Sequence, residues 1–278
     1  MDRPSAVRHP DGMKAALALL IAASLILPRA ATAEEIEVDL ELVLMVDVSR
    51  SMTERELEIQ RKGYAEALRS DAVFAALQSG LLQTVAVTYV EWAGTQEVVI
   101  DWRLLQTRED LDAFADILTS RFDPALRRTS ISEALIFGSR LIETNKYKGL
   151  RRVIDISGDG PNNQGRTVTV ARDAVLAKGI IINGLPLLTR EGMDTSWHLD
   201  NLDIYYESCV IGGPGSFVIP VFDWDDFAEA VQRKLVLEMV SRPPEAQIMQ
   251  AQAPRLDPTD CQIGEKIWQE RRRYWDSP

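Results

Sequence analysis

Three short stretches of this chain carry oxygen donors of one chemical kind. Asp47-Val48-Ser49-Arg50-Ser51 sets a carboxylate and two hydroxyls at alternating positions. Thr129 offers a third hydroxyl, and Asp159, within Ser157-Gly158-Asp159-Gly160, a second carboxylate. Hard oxygen ligands of this sort suit Mg²⁺, with Mn²⁺ or Ca²⁺ as substitutes. Two carboxylates neutralise a divalent cation, while neutral hydroxyls leave it electrophilic enough to take an acidic group from elsewhere. Ser49 and Ser51 stand two apart, so in an extended turn both hydroxyls point the same way.

The surrounding pattern dictates where these stretches fall. Leu42-Val43-Leu44-Met45-Val46 is a continuous apolar run, as a strand covered on both faces requires, and Asp47 follows it directly. One long helix is expected over Glu54 to Gln78. A hairpin then joins Thr84–Trp92 to Glu97–Trp102 through Ala93-Gly94-Thr95-Gln96, which makes one strand antiparallel and places it at an edge. A helix over Arg108–Thr119 comes next, and Ile131, Leu135, Gly138 and Ile142 recur at helical spacing just after Thr129. Val153-Ile154-Asp155-Ile156 reads as a strand that leads into Asp159. A helix through Val168, Ala171 and Val175 stops at Gly179, and Ile180-Ile181-Ile182 leads the fifth strand. Gly212-Gly213-Pro214-Gly215 is a turn before a sixth strand over Ser216–Val221. Asp223 caps a last helix through Phe227, Val231 and Leu235, ended by Pro243 and Pro244. A short helix also falls between Gly264 and Tyr274. Strands alternating with helices give an α/β fold, a doubly wound, mostly parallel six-stranded sheet with one antiparallel edge strand and helices on both faces. Ligands of such sheets bind beyond the carboxyl ends of the strands, where all three oxygen-bearing stretches lie.

The set Asp47-x-Ser49-x-Ser51, with Thr129 and Asp159 on the expected elements, resembles the metal-ion-dependent adhesion site of von Willebrand factor A domains, of which integrin inserted domains are members. The similarity runs from roughly Leu40 to Val240 and extends to a group of secreted bacterial proteins with no assigned biochemical function. It implies that Ser49, Ser51 and Thr129 bind metal directly, that Asp47 and Asp159 act through water or by entering the coordination sphere, and that a partner's Glu or Asp completes it. Two positions depart from the family habit. Arg127-Arg128 replaces the glycine common before the threonine, and Gly158 stands beside Asp159.

Rival chemistry finds less support. His9 and His198 are the two histidines, too few for the usual zinc set, and His198, which as a general base would need a nucleophile beside it, reads as a surface or loop residue. A metal-dependent phosphohydrolase of the haloacid dehalogenase type would place a second Asp two residues after the first, where Ser49 stands. A solute-binding protein needs two lobes, for which the length leaves little room. Asp155 is unusual inside an apolar strand, with support of the metal site or pairing to Arg152 as its alternatives. Glu91 ends the second strand and could reach the site or mark an edge, and Trp92 and Trp102 are expected to pack the hairpin.

The beginning of the chain reads as an export signal. Arg3, Arg8 and Lys14 precede an apolar run from Ala15 to Leu27, and Ala31-Thr32-Ala33 follows, so residues 1–33 are expected to be cut before Glu34. The run is too short to cross a bilayer, which takes about 20 apolar residues, and no later run qualifies. The expected organisation is therefore 1–33 signal peptide, 34–240 domain and 241–278 tail, in a periplasmic or secreted protein. Forty-two acidic residues against 31 basic ones give a net charge of −11, which argues against nucleic acid or an anionic membrane as partner. In an oxidising compartment Cys209 and Cys261 are expected to pair, tying the tail to the domain. The reading is a metal-dependent protein-binding module rather than an enzyme.

Overall fold

The computed structural model describes residues 35–49, 51–120, 129–189, 199–240 and 259–275. The expected signal segment, Arg50, Arg127-Arg128, His198 and Pro243-Pro244 lie outside these residues.

Strand β1 (Ile36–Asp47) is the middle of the sheet. Its residues Leu40, Leu42, Leu44 and Val46 enter one apolar layer, and Val43 and Met45 enter the other. That alternation is the period of two of a pleated strand, and apolar residues on both phases produce the continuous run in the sequence. Parallel partners lie on either side: β2 (Val85–Trp92) and β4 (Tyr147–Gly158). Beyond them sit antiparallel β3 (Gln96–Leu105) and parallel β5 (Ile181–Pro186), for the order β3-β2-β1-β4-β5.

The sheet thus has five strands, not six. Residues 216–221 make only isolated bridges to β5, at Gly184↔Val218 and Leu187↔Val221. Pro220 has no N–H to give to a ladder, and Phe217 spends its own on the Asn183 side chain, 3.2 Å away.

The first layer holds α1 (Glu54–Arg69), α2 (Asp71–Gln78), α3 (Arg108–Ser120) and α7 (Phe227–Met239) against the Leu40–Val46 face. The second holds α4 (Ile131–Thr144), α5 (Val168–Leu176) and the short α6 (Leu202–Tyr205), which continues as a π-helical turn, Tyr206–Val210. Each fully buried aliphatic side chain in these layers contributes about 1.5–3 kcal/mol.

The expected single helix over Glu54–Gln78 is two. Ser70 adopts an extended backbone, donates its hydroxyl to the Ala67 carbonyl and accepts from the Val73 N–H, so it closes α1 and opens α2. Strand β4 is longer than its apolar segment because polar Lys148, Arg151 and Arg152 continue the pairing beside the lower half of β1. Asp223 caps a single 3₁₀ turn, Trp224–Asp226, that leads into α7.

Past the gap at 241–258 the tail forms α8 (Ile263–Trp275). Cys209 and Cys261 are bonded, with Cα atoms 5.5 Å apart. Cys209 is fully buried within the π-turn.

Candidate functional site

The carboxyl ends of β1 and β4 are neighbours in the sheet, and the loops that leave them carry the expected residues. Asp47 closes β1. The Val48 N–H donates to the Trp92 carbonyl, and the Ser49 N–H turns back to Asp47 Oδ1 at 2.7 Å. That aspartate turn points both serine hydroxyls to one place, where their oxygens lie 2.9 Å apart. Ser51 Oγ then donates to Asp159 Oδ1 at 2.9 Å. Four of the five expected residues are therefore linked in one contiguous cluster, although Asp159 is 108 residues beyond Ser51.

Thr129 is buried, and its main chain is fixed beside the Asp159 loop. Its N–H donates to Asn163 Oδ1 at 3.3 Å, and its carbonyl accepts from the Asn163 N–H at 3.1 Å. The next residue, Ser130, donates its N–H to the carbonyl of Ala93, just after β2.

The position of α1 follows from a local signal. Thr53 and Glu56 form a reciprocal capping box two residues after Ser51, and Glu56 also accepts from the Trp224 indole N–H. Gln60, one turn on, donates to the Asp47 carbonyl at 3.0 Å.

Electrostatics set this cluster apart. Asp47 is wholly buried, and its Oδ2 meets no hydrogen-bond donor. Burial, followed by the like charge of Asp159, pushes the Asp47 carboxyl well above the usual carboxylate range, and the Ser49 N–H offsets only part of this. An orphaned carboxylate oxygen is costly unless a cation neutralises it. Two carboxylates joined through hydroxyls form the donor set a hard divalent cation takes, so the residues fit such an ion. Among the described residues no three acidic, histidine or cysteine side chains converge on a metal position. The cluster owes its character to hydroxyls instead.

Gly158, the apparent departure, has a steric reason. A Cβ on it would stand 2.9 Å from Asp47 Oδ2 and 2.8 Å from the Tyr206 hydroxyl, closer than real Cβ contacts. Glycine there leaves room for the Asp47 carboxylate and the Tyr206 hydroxyl against the end of β4. The Tyr206 hydroxyl and the Trp92 indole N–H are buried around the same point and likewise lack protein partners. Burial and then the Asp47 charge hold the Tyr206 hydroxyl well above its ordinary pKa, so it remains a neutral donor. Nothing in the sequence singled out Tyr206 except a strand–helix order that brings it under β4 and β5.

Other readings are resolved differently. Asp155 pairs neither with the candidate metal site nor with Arg152. It meets Lys234 of α7 at 2.6 Å, and Lys234 also binds Glu238 at 2.6 Å, all three being buried. Arg152 instead donates to the Lys178 carbonyl. Glu91 is not an edge residue. It pairs with Arg61 at 2.6 Å in the interior, since β3 supplies the edge.

Solved structures of low sequence identity share this fold. Proximal thread matrix protein 1 from the mussel byssus is similar in two crystal structures, with TM-scores of 0.53 and 0.51 at 13% and 14% identity, over 75% of this chain and 50% of that one. The second of these has a zinc-occupied MIDAS motif. The pilus adhesin SpaC from Lactobacillus rhamnosus GG is similar at a TM-score of 0.53 and 12% identity, over 72% of this chain and 30% of that one. A von Willebrand factor type A structure from Catenulispora acidiphila gives 0.49 at 13% identity, over 72% and 43%. The chain spans about half the length of the mussel protein or less of these relatives, and at such identities the likeness is one of fold. No curated protein matches. The family model for "Protein of unknown function (DUF1194)" matches residues 37–243, and the chain belongs to that family.

Proposed function

We propose that this protein is an exported, divalent-metal-dependent binding module that engages an acidic group of a protein partner. The observation that carries the reading is the contact chain Asp47–Ser49–Ser51–Asp159, closed by contacts of 2.7–2.9 Å around a buried carboxylate oxygen with no donor. Ser49, Ser51 and Thr129 would hold Mg²⁺ (or Mn²⁺ or Ca²⁺) by their hydroxyls, and Asp47 and Asp159 would balance its charge. When bound, the ion supplies a Lewis-acidic position for a carboxylate. This chain's own residues do the rest. The Ser49 amide and Gln60 fix the Asp47 turn, Gly158 leaves room for the Asp47 carboxylate, and the Trp92 and Tyr206 walls exclude water from the Asp47 side.

Binding rather than hydrolysis is the reading we favour for this site. Where a phosphohydrolase would carry its second aspartate, the Ser49 hydroxyl is engaged with Ser51, and no general acid takes that place. The mussel and pilus proteins, matrix and adhesin by name, support a binding role by likeness of fold. Export rests on the sequence of residues 1–33. Among the described residues no helix is long and apolar enough to cross a membrane.

Calorimetric titration of the protein with Mg²⁺ and Mn²⁺ tests the reading. One site is expected, and Asp47→Ala should weaken it at least about 100-fold, as loss of a charged ligand from a small ligand set does. Equal binding heats from the variant would overturn the assignment. Pull-down of periplasmic or culture proteins should then lose its bound partner on addition of chelator.

A further inference from the structure

The tail is fastened to the π-helical turn and the second apolar layer, and it ends these contacts on the loop that carries Asp159. Within seven residues it is fastened five ways. Thr259 Oγ1 donates to Ser208 Oγ at 3.3 Å. Cys261 is bonded to Cys209, and Ile263 packs on the second apolar layer. Gly264 lies so close to the Asp159 loop that a Cβ there would stand 2.2 Å from the Asn162 carbonyl oxygen. Glu265 Oε1 accepts from Asn162 Nδ2 at 2.7 Å.

Asn162 is the hub. It is completely buried, three residues after Asp159, and its Oδ1 accepts from the Ser132 N–H at 3.0 Å, three residues after Thr129. Its Nδ2 also donates to the Arg166 carbonyl, and its own N–H to the Tyr205 hydroxyl. A side-chain amide has one accepting and one donating end, and which end faces Ser132 must be decided by something else. The Ser132 N–H stands in the first turn of α4, where amides have no helical partner and need an acceptor. An ionised carboxylate accepts and never donates. Glu265 and the Arg166 carbonyl, both acceptors, therefore hold the amide with nitrogen toward them and oxygen toward Ser132, which joins the two loops.

We propose that Glu265 is a positioning residue for the metal site: through Asn162 it sets the spacing of the Asp159 and Thr129 loops, and the Cys209–Cys261 bond keeps it in place. The inference rests on the metal-binding reading, but the junction it describes exists without metal and is tested separately. Removing Glu265 takes away the charged one of the two acceptors on Asn162 Nδ2, leaves the Arg166 carbonyl alone to hold the amide and so loosens the contact that the Ser132 N–H makes with Oδ1. Affinity for the ion falls because the ligands must then be gathered at the moment of binding.

The experiment compares wild type, Glu265→Ala, Glu265→Gln and a Cys209→Ser/Cys261→Ser double variant in two measurements. Hydrogen exchange of the Ser132 and Asn163 amides, read by NMR in metal-free protein, should quicken at least about tenfold in Glu265→Ala and in the double variant. It should stay near wild type in Glu265→Gln, whose carbonyl still accepts. Mg²⁺ titration should show about tenfold weaker binding in the first two, the lower end of what outer partners of metal ligands command, and recovery in Glu265→Gln. Thermal unfolding of the metal-free proteins separates a local effect from general loss of stability. Unchanged exchange at Ser132 in Glu265→Ala overturns the proposal, as does an equal loss of affinity in Glu265→Ala and Glu265→Gln. Should wild type take up no Mg²⁺, the metal reading falls, and the exchange measurement still decides the role of Glu265.

Discussion

Two groups of buried carboxylates are built around Asp155 of β4 and Asp47 of β1, and they are balanced in opposite ways. Under the sheet's carboxyl end, Asp155 and Glu238 share Lys234, with contacts of 2.6 Å to each and an Asn183 amide donating to Glu238 at 3.1 Å. Their cation is part of the chain. At the carboxyl end itself, Asp47 is as deeply buried, yet the charge acting on it is that of Asp159, of the same sign. The first arrangement is a closed structural joint between α7 and β4. The second suits a cation that arrives from solution. Burying acids is expensive in both places, and the source of the compensating charge separates a joint from a binding site.

The sharpest way to break that comparison is to remove the built-in cation. Lys234→Ala leaves Asp155 and Glu238 facing each other inside the protein, and urea unfolding at pH 8 should show a loss of about 3–5 kcal/mol, as when one partner of a buried pair is deleted. The loss should shrink at pH 5, where a carboxyl can take up a proton. A variant equal to wild type at pH 8 would mean that the joint carries little.

A second effect concerns pH in the intact joint. Burial first, then Glu238, raises the Asp155 carboxyl to about 7, against the opposing pull of Lys234. Its folded value is above its unfolded value, so the folded state holds the extra proton between them. Stability from this group is fully present below about pH 4 and is lost as pH rises to about 7. Unfolding free energies of wild type and Asp155→Asn, measured from pH 4 to 8, should therefore converge or cross, with wild type falling relative to the variant. Parallel curves would rule out titration of Asp155 in that window.

A smaller effect is expected at the site end. Gly158→Ala pushes a methyl group against Asp47 Oδ2 and the Tyr206 hydroxyl, and should cost about 1–3 kcal/mol of stability as overpacking does. Mg²⁺ affinity should drop as well, because the Asp47 carboxylate is pushed from its place. Unaltered affinity in a correctly folded variant would show that the Asp47 position is not set at this glycine.

Much of this was legible in the residues themselves. The apolar run at Leu42–Val46 identified the central strand, the short link at Ala93–Gln96 identified the antiparallel edge, and Asp-x-Ser-x-Ser directly after a strand located the cluster. Local rules also went astray where one side chain overrode a pattern. Ser70 divides what reads as one helix, because a single hydroxyl can satisfy both helix ends at once. Residues 216–221 look like a strand by composition, but Pro220 and the diversion of the Phe217 amide reduce them to isolated bridges.

What the sequence determined by itself was the kind of atom available and the elements carrying it: hydroxyls and carboxylates at strand ends, periods of two and 3.6, and two cysteines. What only the tertiary structure decided was which charges meet. Lys234 beside Asp155, Glu265 beside Asn162 and Tyr206 beneath Gly158 are pairings between elements far apart in the chain. Periodicity is a property of neighbours along the backbone, whereas Coulomb and steric terms depend on separation in space, and that separation is set only once the layers have packed.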